Sequence, residues 1–265
     1  MTDMFSKSEA YENLMGRWSD RLAPVFMEFA GVRDGERVLD VGCGTGILCR
    51  EVVSTAPRSE VVGIDPAKPF IEYARANSSG PRVQYDIGDA LALPYPDASF
   101  DQSLSLLVLM FIPQGEKAAG EMRRVTRPGG AVSACTWDSG EGGMELASTF
   151  WEEAVRLDPA AEARRADKNL HYNRRGQLSA LWKDTGLRGV EETAIEIRMD
   201  FPSFDDYWLP NLQGVGPVGV YVKGLSSESL GALREALRMR FLGGRPNGPF
   251  TLGARAWAVR GKVPG

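Results

Sequence analysis

The hydrophobic positions of this chain change period along its length, and the changes divide it. Near the N-terminus Tyr11, Leu14, Met15, Trp18, Leu22, Phe26 and Phe29 recur every three or four residues, the spacing of one helix face, interrupted around Gly16 or at Pro24. From Val38 onward short apolar runs alternate with helical stretches. Strands are predicted at 38–41, 61–65, 83–87, 101–106 and 131–137, with helices after the first (Ile47, Leu48, Val52, Val53), after the second (67–77) and before the fifth, closing at Met122 to Val125. Such alternation predicts an α/β fold with a mostly parallel sheet flanked by helices. Beyond Trp137 the alternation stops. Residues 140–157 read as a glycine hinge and an amphipathic helix, 174–185 as a helix, 190–199 as a strand, 226–242 as a helix capped by Ser226 or Ser227, and 251–259 as a last strand.

The stretch around which the rest is organised is Val38-Leu39-Asp40-Val41-Gly42-Cys43-Gly44-Thr45-Gly46. An apolar run carrying an acid opens into glycines at every second position just before a helix. Glycine belongs there because the turn needs unusual φ values and because a Cβ would keep the backbone away from a ligand. The helix N-terminus then offers unpaired N–H groups, and strand ends of this kind are where open α/β sheets bind nucleotide-like molecules. A second strand ends in Asp65, and the third is followed by Gly88-Asp89-Ala90.

Composition narrows the partners. With 265 residues, 43% of them hydrophobic, the chain can bury a sizeable core. A net charge of −4 supplies no electrostatic footprint for a phosphate backbone, so nucleic acid is disfavoured. No apolar run approaches the ~20 residues of a membrane span. Cys43, Cys49 and Cys135 have neither metal-like spacing nor an even count, which points to no metal, no disulfide framework and a reducing cytoplasm.

Together with Val62 to Asp65, Leu93-Pro94-Tyr95-Pro96-Asp97-Ala98-Ser99-Phe100-Asp101 and Arg127-Pro128-Gly129-Gly130, these motifs resemble a class I S-adenosylmethionine-dependent methyltransferase. The branch they are most similar to is the small-molecule, type-11-like group that includes the ubiquinone and menaquinone biosynthesis enzymes. The resemblance is strong over about residues 35–137. It implies a Rossmann-like sheet of seven strands with the last reversed, a flap over 1–34, an S-adenosylmethionine-binding core over 35–138, and the remaining strands with a cap or lid (about 139–186 and 201–248) over 139–265.

The resemblance also implies roles. Gly42, Gly44 and Gly46 let the backbone run beside the methionine part of the cofactor. Asp40 orients the turn or meets the ammonium group, directly or through water. Asp65 takes both ribose hydroxyls, Pro66 and Ala67 border the adenine, Asp89 takes its amino group with the Ala90 N–H facing a ring nitrogen, and the Leu106 carbonyl faces the ammonium. Apart from the resemblance, the N-terminal helical stretch either packs on the sheet edge or forms a flap, and in a closed flap the Arg17 guanidinium could reach the cofactor carboxylate. Removing the Asp65 carboxyl is expected to weaken the cofactor while leaving folding largely intact.

The sequence is less specific about the reaction. The exit of the fourth strand, Ser105-Leu106-Leu107-Val108, lacks the Asn/Asp-Pro-Pro-aromatic run of nucleic-acid amino methyltransferases and the Pro-Cys of cytosine enzymes. His171, the only histidine, is a weak candidate for a base. Tyr11, Trp18, Phe150, Trp151, Phe204, Tyr207, Trp208 and Tyr221, with Gly140, Gly142, Gly143, Gly214, Gly216 and Gly219 as hinges, suggest a mobile apolar lid and a small apolar or aromatic acceptor. Two alternatives stand beside methyl transfer. One is a protein that binds the cofactor without turnover; the other is an NAD(P)-dependent oxidoreductase, disfavoured by Ile47 where the third dinucleotide glycine would fall and by the second acid, Asp89. The methyl acceptor and oligomeric state leave no motif.

Overall fold

The computed structural model describes residues 12–78, 80–165 and 170–265, so Tyr11 lies outside the described residues. Seven strands form one sheet: β1 (Arg37–Val41), β2 (Glu60–Asp65), β3 (Val83–Ile87), β4 (Phe100–Leu106), β5 (Thr126–Trp137), β6 (Arg188–Phe201) and β7 (Phe250–Lys262), in the order β3-β2-β1-β4-β5-β7-β6. β1 runs parallel to β2 and β4, β2 to β3 and β4 to β5, while β7 pairs antiparallel with β5. This is the α/β, Rossmann-like sheet expected, with its reversed last strand.

The chain forms two compact units. The first, the sheet unit, comprises Trp18–Asp138, His171–Ile195 and Ala256–Gly265. It contains nearly all of α1 (Arg17–Ala30) and the whole of α2 (Ile47–Thr55), α3 (Lys68–Asn77), α4 (Gly115–Val125) and α6 (Gln177–Asp184). Its core is built from Leu39, Val41, Val62 and Ile64 of the central strands, Met122 and Val125 of α4, and Leu178 and Trp182 of α6. Strands buried on both faces read as continuous apolar runs, which is why β1 and β2 were legible. Trp182 also donates its indole N–H to the Val132 carbonyl at 2.8 Å, tying α6 to the sheet. The loop after β3 is stapled by Arg124, which donates to the carbonyls of Leu93 and Tyr95 and pairs with Asp97 at 2.8 Å.

The expected break in the first helix falls at Gly16, where a π-helical turn, Glu12–Gly16, gives way to α1. Pro24 does not end α1. The carbonyl it leaves without a donor belongs to the exposed Asp20, where water can satisfy it, while Trp18, Leu22, Phe26 and Ala30 hold the opposite face buried.

The second unit comprises the described part of Met1–Arg17 together with Ser139–Leu170 and Glu196–Arg255, and contains α5 (Glu145–Leu157), α7 (Phe204–Asn211), α8 (Gly216–Lys223) and α9 (Ser227–Leu242). Ser226 caps α9 by accepting from the Ser229 N–H at 3.1 Å, and Ser203 caps α7. Of the aromatics expected in a lid, five pack inside this unit and Tyr221 is half-buried, while Trp18 belongs to the sheet unit. Phe150, Trp151, Phe204, Tyr207 and Trp208 are each at most 3% exposed. Phe201 stacks on Phe250 at 5.0 Å, Tyr207 meets Phe241 edge-on at 4.8 Å, and Phe150, Trp151 and Tyr221 form a second group. Rings in such contact gain more from burial and edge-to-face geometry than from surface display. Gly219 is likewise a packing position, because a Cβ there would lie 2.8 Å from the Gly214 carbonyl carbon.

Within this core the Tyr207 hydroxyl is buried and makes no hydrogen bond among the described residues. A buried unsatisfied hydroxyl costs about 1–3 kcal/mol. Tyr207→Phe should therefore raise stability by roughly 1 kcal/mol in chemical denaturation, and a loss of stability would show that the hydroxyl has a partner.

Candidate active site

The glycine turn is built by backbone bonds before any side chain acts. The N–H groups of Gly42 and Cys43 both donate to the Ile64 carbonyl of β2, at 2.7 and 3.1 Å, and Gly46 N–H donates to the Cys43 carbonyl at 2.8 Å. Gly42, Gly44 and Gly46 have φ of 78°, 52° and 85°, values that favour glycine. Their surroundings differ. A Cβ at Gly42 would lie 2.5 Å from the methyls of Val108 and one at Gly46 would collide with the Tyr85 hydroxyl, whereas at Gly44 the nearest atom is 4.0 Å away. Gly44 therefore presents bare backbone to open space. Gly46 caps α2 without a side-chain partner, so the first-turn N–H groups of α2 have no side-chain cap.

Asp65, at the end of β2, is the clamp. Its Oδ2 accepts from Gly44 N–H at 3.1 Å and its Oδ1 from Ala67 N–H at 2.8 Å. Burial pushes its carboxyl above the usual range, while the two N–H bonds pull the other way. A carboxylate has about four lone-pair sites, so each oxygen keeps one. The expectation that its loss leaves folding intact needs correction: its two oxygens hold the turn and the start of α3.

Asp40, in β1, is fully buried between Gly63 of β2 and Leu104 of β4. Its Oδ2 accepts from the Cys49 thiol at 3.3 Å, and its Oδ1 has no hydrogen-bond partner among the described residues. Burial pushes its carboxyl up to about 7; the Cys49 bond opposes this and the nearby Asp65 adds to it.

The remaining expected residues are placed as follows. Pro66 and Ala67 lead into α3 beside the Asp65 clamp, with Ala67 as its N-cap. Asp89 is exposed, its Oδ1 accepting from Leu91 N–H at 2.9 Å, and Ala90 is buried next to it. Leu106 ends β4, and the following Leu107 has φ of 63° with its N–H on the Cys135 carbonyl at 2.7 Å. His171 is exposed, with its backbone N–H on the Met110 carbonyl at 2.9 Å. All of these belong to the sheet unit, as do Asp40, the glycines and Asp65. Arg17 belongs to the other unit, where it pairs with Asp206 at 2.6 Å and covers the Phe201 ring at 4.9 Å. Its guanidinium is already committed there.

Sequence reasoning missed Gly63, Tyr85, Leu107 and Val108. Gly63 carried a signal, a glycine inside a strand: a Cβ there would lie 2.9 Å from the sulfurs of both Cys43 and Cys49. Leu107 carried none, since a bulky residue at positive φ costs on the order of 1–2 kcal/mol and is not foreseeable from its side chain. Among the described residues no group of three or more His, Cys, Asp and Glu could hold a metal, and no helix is long and apolar enough to cross a membrane.

The raised carboxyl of Asp40 has a pH signature. Unfolded, the group loses its proton near pH 4; folded, it keeps it to about 7. Its contribution therefore falls as pH rises through that window, by a total on the order of 4 kcal/mol, and is flat above it. Asp40→Asn, which cannot ionise, should remove this part of the difference between urea unfolding at about pH 5 and about pH 8; an unchanged difference would refute the assignment.

With this geometry established, the comparisons with known proteins agree. The family model described as "Methyltransferase domain" matches residues 39–134. Demethylmenaquinone methyltransferase of Thermus thermophilus is 40% identical over 118 residues, 44% of this chain and 52% of that one. An uncharacterized protein of Mycobacterium tuberculosis is 35% identical over 116 residues, 44% of this chain and 42% of its own. The chain thus spans about half the length of the curated relatives it matches. Phosphoethanolamine N-methyltransferase 2 of Haemonchus contortus, solved with S-adenosyl-L-methionine, shares the fold with a TM-score of 0.61 at 18% identity, over 100% of this chain and 60% of that one. Residues 39–134 thus match a methyltransferase domain, and over that stretch the chain is similar to known methyltransferases.

Proposed function

We propose that the protein transfers a methyl group from S-adenosylmethionine to a small-molecule acceptor. The observation that carries the reading is the Asp65 clamp, which holds bare Gly44 backbone and the start of α3 beside a carboxylate with spare lone pairs. The unpartnered Oδ1 of Asp40 and the open space at Gly44 fit a ligand with an ammonium group lying along the turn.

In this reading Gly42, Gly44 and Gly46 accept the methionine portion against their backbone. Asp40 meets its ammonium, directly or through water, and the Leu106 carbonyl assists. Asp65 takes the ribose hydroxyls on its remaining lone pairs. Pro66 and Ala67 border the adenine, with Asp89 and the Ala90 N–H on its edge. A sulfonium is an activated methyl donor when bound, so the chain's main task is to hold an acceptor in line and exclude water. His171 is the candidate for removing an acceptor proton where one must leave. For Arg17 to meet the cofactor carboxylate, it would have to exchange its Asp206 partner.

The relative named for demethylmenaquinone supports an apolar or aromatic acceptor. Incubation with methyl-labelled S-adenosylmethionine and a fractionated metabolite extract should yield a labelled small product. Label appearing only in polymer would overturn the small-molecule acceptor.

Calorimetry should show binding of S-adenosylhomocysteine and none of NAD; the reverse result would sink the cofactor reading. Asp65→Ala should weaken the homocysteine nucleoside roughly tenfold to a hundredfold. It should also lower stability by about 1–3 kcal/mol, because two backbone N–H groups lose their acceptor. Unchanged affinity in the folded variant would remove Asp65 from the site.

A further inference from the structure

The glycine turn joins the end of β1 to the start of α2, and one side-chain bond crosses it from element to element. Cys49, in the first turn of α2, donates its thiol to Asp40 Oδ2 at 3.3 Å, and both residues are fully buried. The titratable groups facing Asp40 are Cys49 of α2, Cys43 of the turn, Asp65 of β2 and Tyr85 of β3. None carries positive charge. The Cys49 thiol is therefore the one described donor to a carboxylate that every other neighbour discourages from ionising.

The thiol is held there by shape. Gly63 lies beside Asp40 in the sheet, and a Cβ on it would come within 2.9 Å of the Cys49 sulfur. Burial, aided by Asp40 and Cys43, keeps the Cys49 thiol well above its ordinary range, so it stays protonated and able to donate at neutral pH. A buried cysteine of this kind is ordinarily a small apolar residue. Here its hydrogen bond has a specific acceptor whose other oxygen is unpartnered.

We propose that Cys49 is a positioning residue for cofactor binding: its thiol fixes the Asp40 carboxylate and supplies the hydrogen bond that lets Asp40 meet an ammonium group as an anion. This rests on the reading that S-adenosylmethionine lies along the glycine turn, and it adds the residue that governs the charge state of the ammonium partner. A purely structural Cys49 would support all ligands of the turn alike. A positioning Cys49 acts only on ligands that carry the ammonium group, and does so in a pH-dependent way.

The test is calorimetric titration of the intact protein, from about pH 6 to about pH 8, with S-adenosylhomocysteine and with 5′-methylthioadenosine, which shares the nucleoside but lacks the ammonium. In the unaltered protein, affinity for the homocysteine nucleoside should rise with pH, and that for methylthioadenosine should stay flat. Cys49→Ala should weaken the former about threefold to tenfold near neutral pH and move its rise to higher pH, with the latter unchanged. Cys49→Ser, which keeps a donor, should restore most of the profile. If the Cys49→Ala profile superimposes on the unaltered one, or if both ligands weaken equally, the proposal is overturned. Absence of homocysteine-nucleoside binding at every pH would sink the cofactor reading itself, and the role of Cys49 with it.

Discussion

A single carboxylate holds the geometry on which the site depends. Asp65 ties Gly44 of the turn to Ala67 at the start of α3, so two adjacent strand ends are joined through one side chain. The Ile64 carbonyl, accepting from both Gly42 and Cys43, hooks the same turn to β2 from below. With those anchors a glycine-rich segment, which would otherwise sample many conformations, becomes a fixed cradle. Preorganisation of this sort lowers the ordering cost that a flexible loop would impose on binding.

The cradle is surrounded by groups that cost the fold stability. Asp40 is buried with one oxygen unpartnered, Asp65 is largely dehydrated, and Leu107 adopts a left-handed backbone conformation where β4 ends. Each costs stability, and each lies at the carboxyl end of a parallel strand or beside the glycine turn. Clustering of such costs at one end of a sheet is expected where a ligand supplies the missing partners. The remainder of the sheet unit is conventional by contrast, with apolar strands covered by helices and the loop after β3 stapled by Arg124.

The second unit follows a different logic. Its rings interlock at centroid separations of about 5 to 6 Å, and two of its helices, α7 and α9, start at serine caps. Clusters of aromatics between glycines read equally as lid or as core in one dimension. Burial shows that most of these rings pack against one another within the unit.

What the sequence by itself determined was whatever depends on local backbone chemistry and on period. β1 and β2 were legible because burial on both faces demands largely apolar runs, and the turn because glycine adopts φ values such as those at Gly42, Gly44 and Gly46 at the least cost. Ser226 announced the start of α9 because capping is a local hydrogen bond. Tertiary structure alone decided the relations between residues distant in the chain. Arg17 went to Asp206, Val108 and Tyr85 closed on Gly42 and Gly46, and Gly63 made room for two sulfurs. Asp65 became a clamp between the turn and the start of α3, and Asp40 met a thiol nine residues on. A side chain carries its chemistry in its identity, but its partners are set by packing, which no pattern of polar and apolar positions encodes.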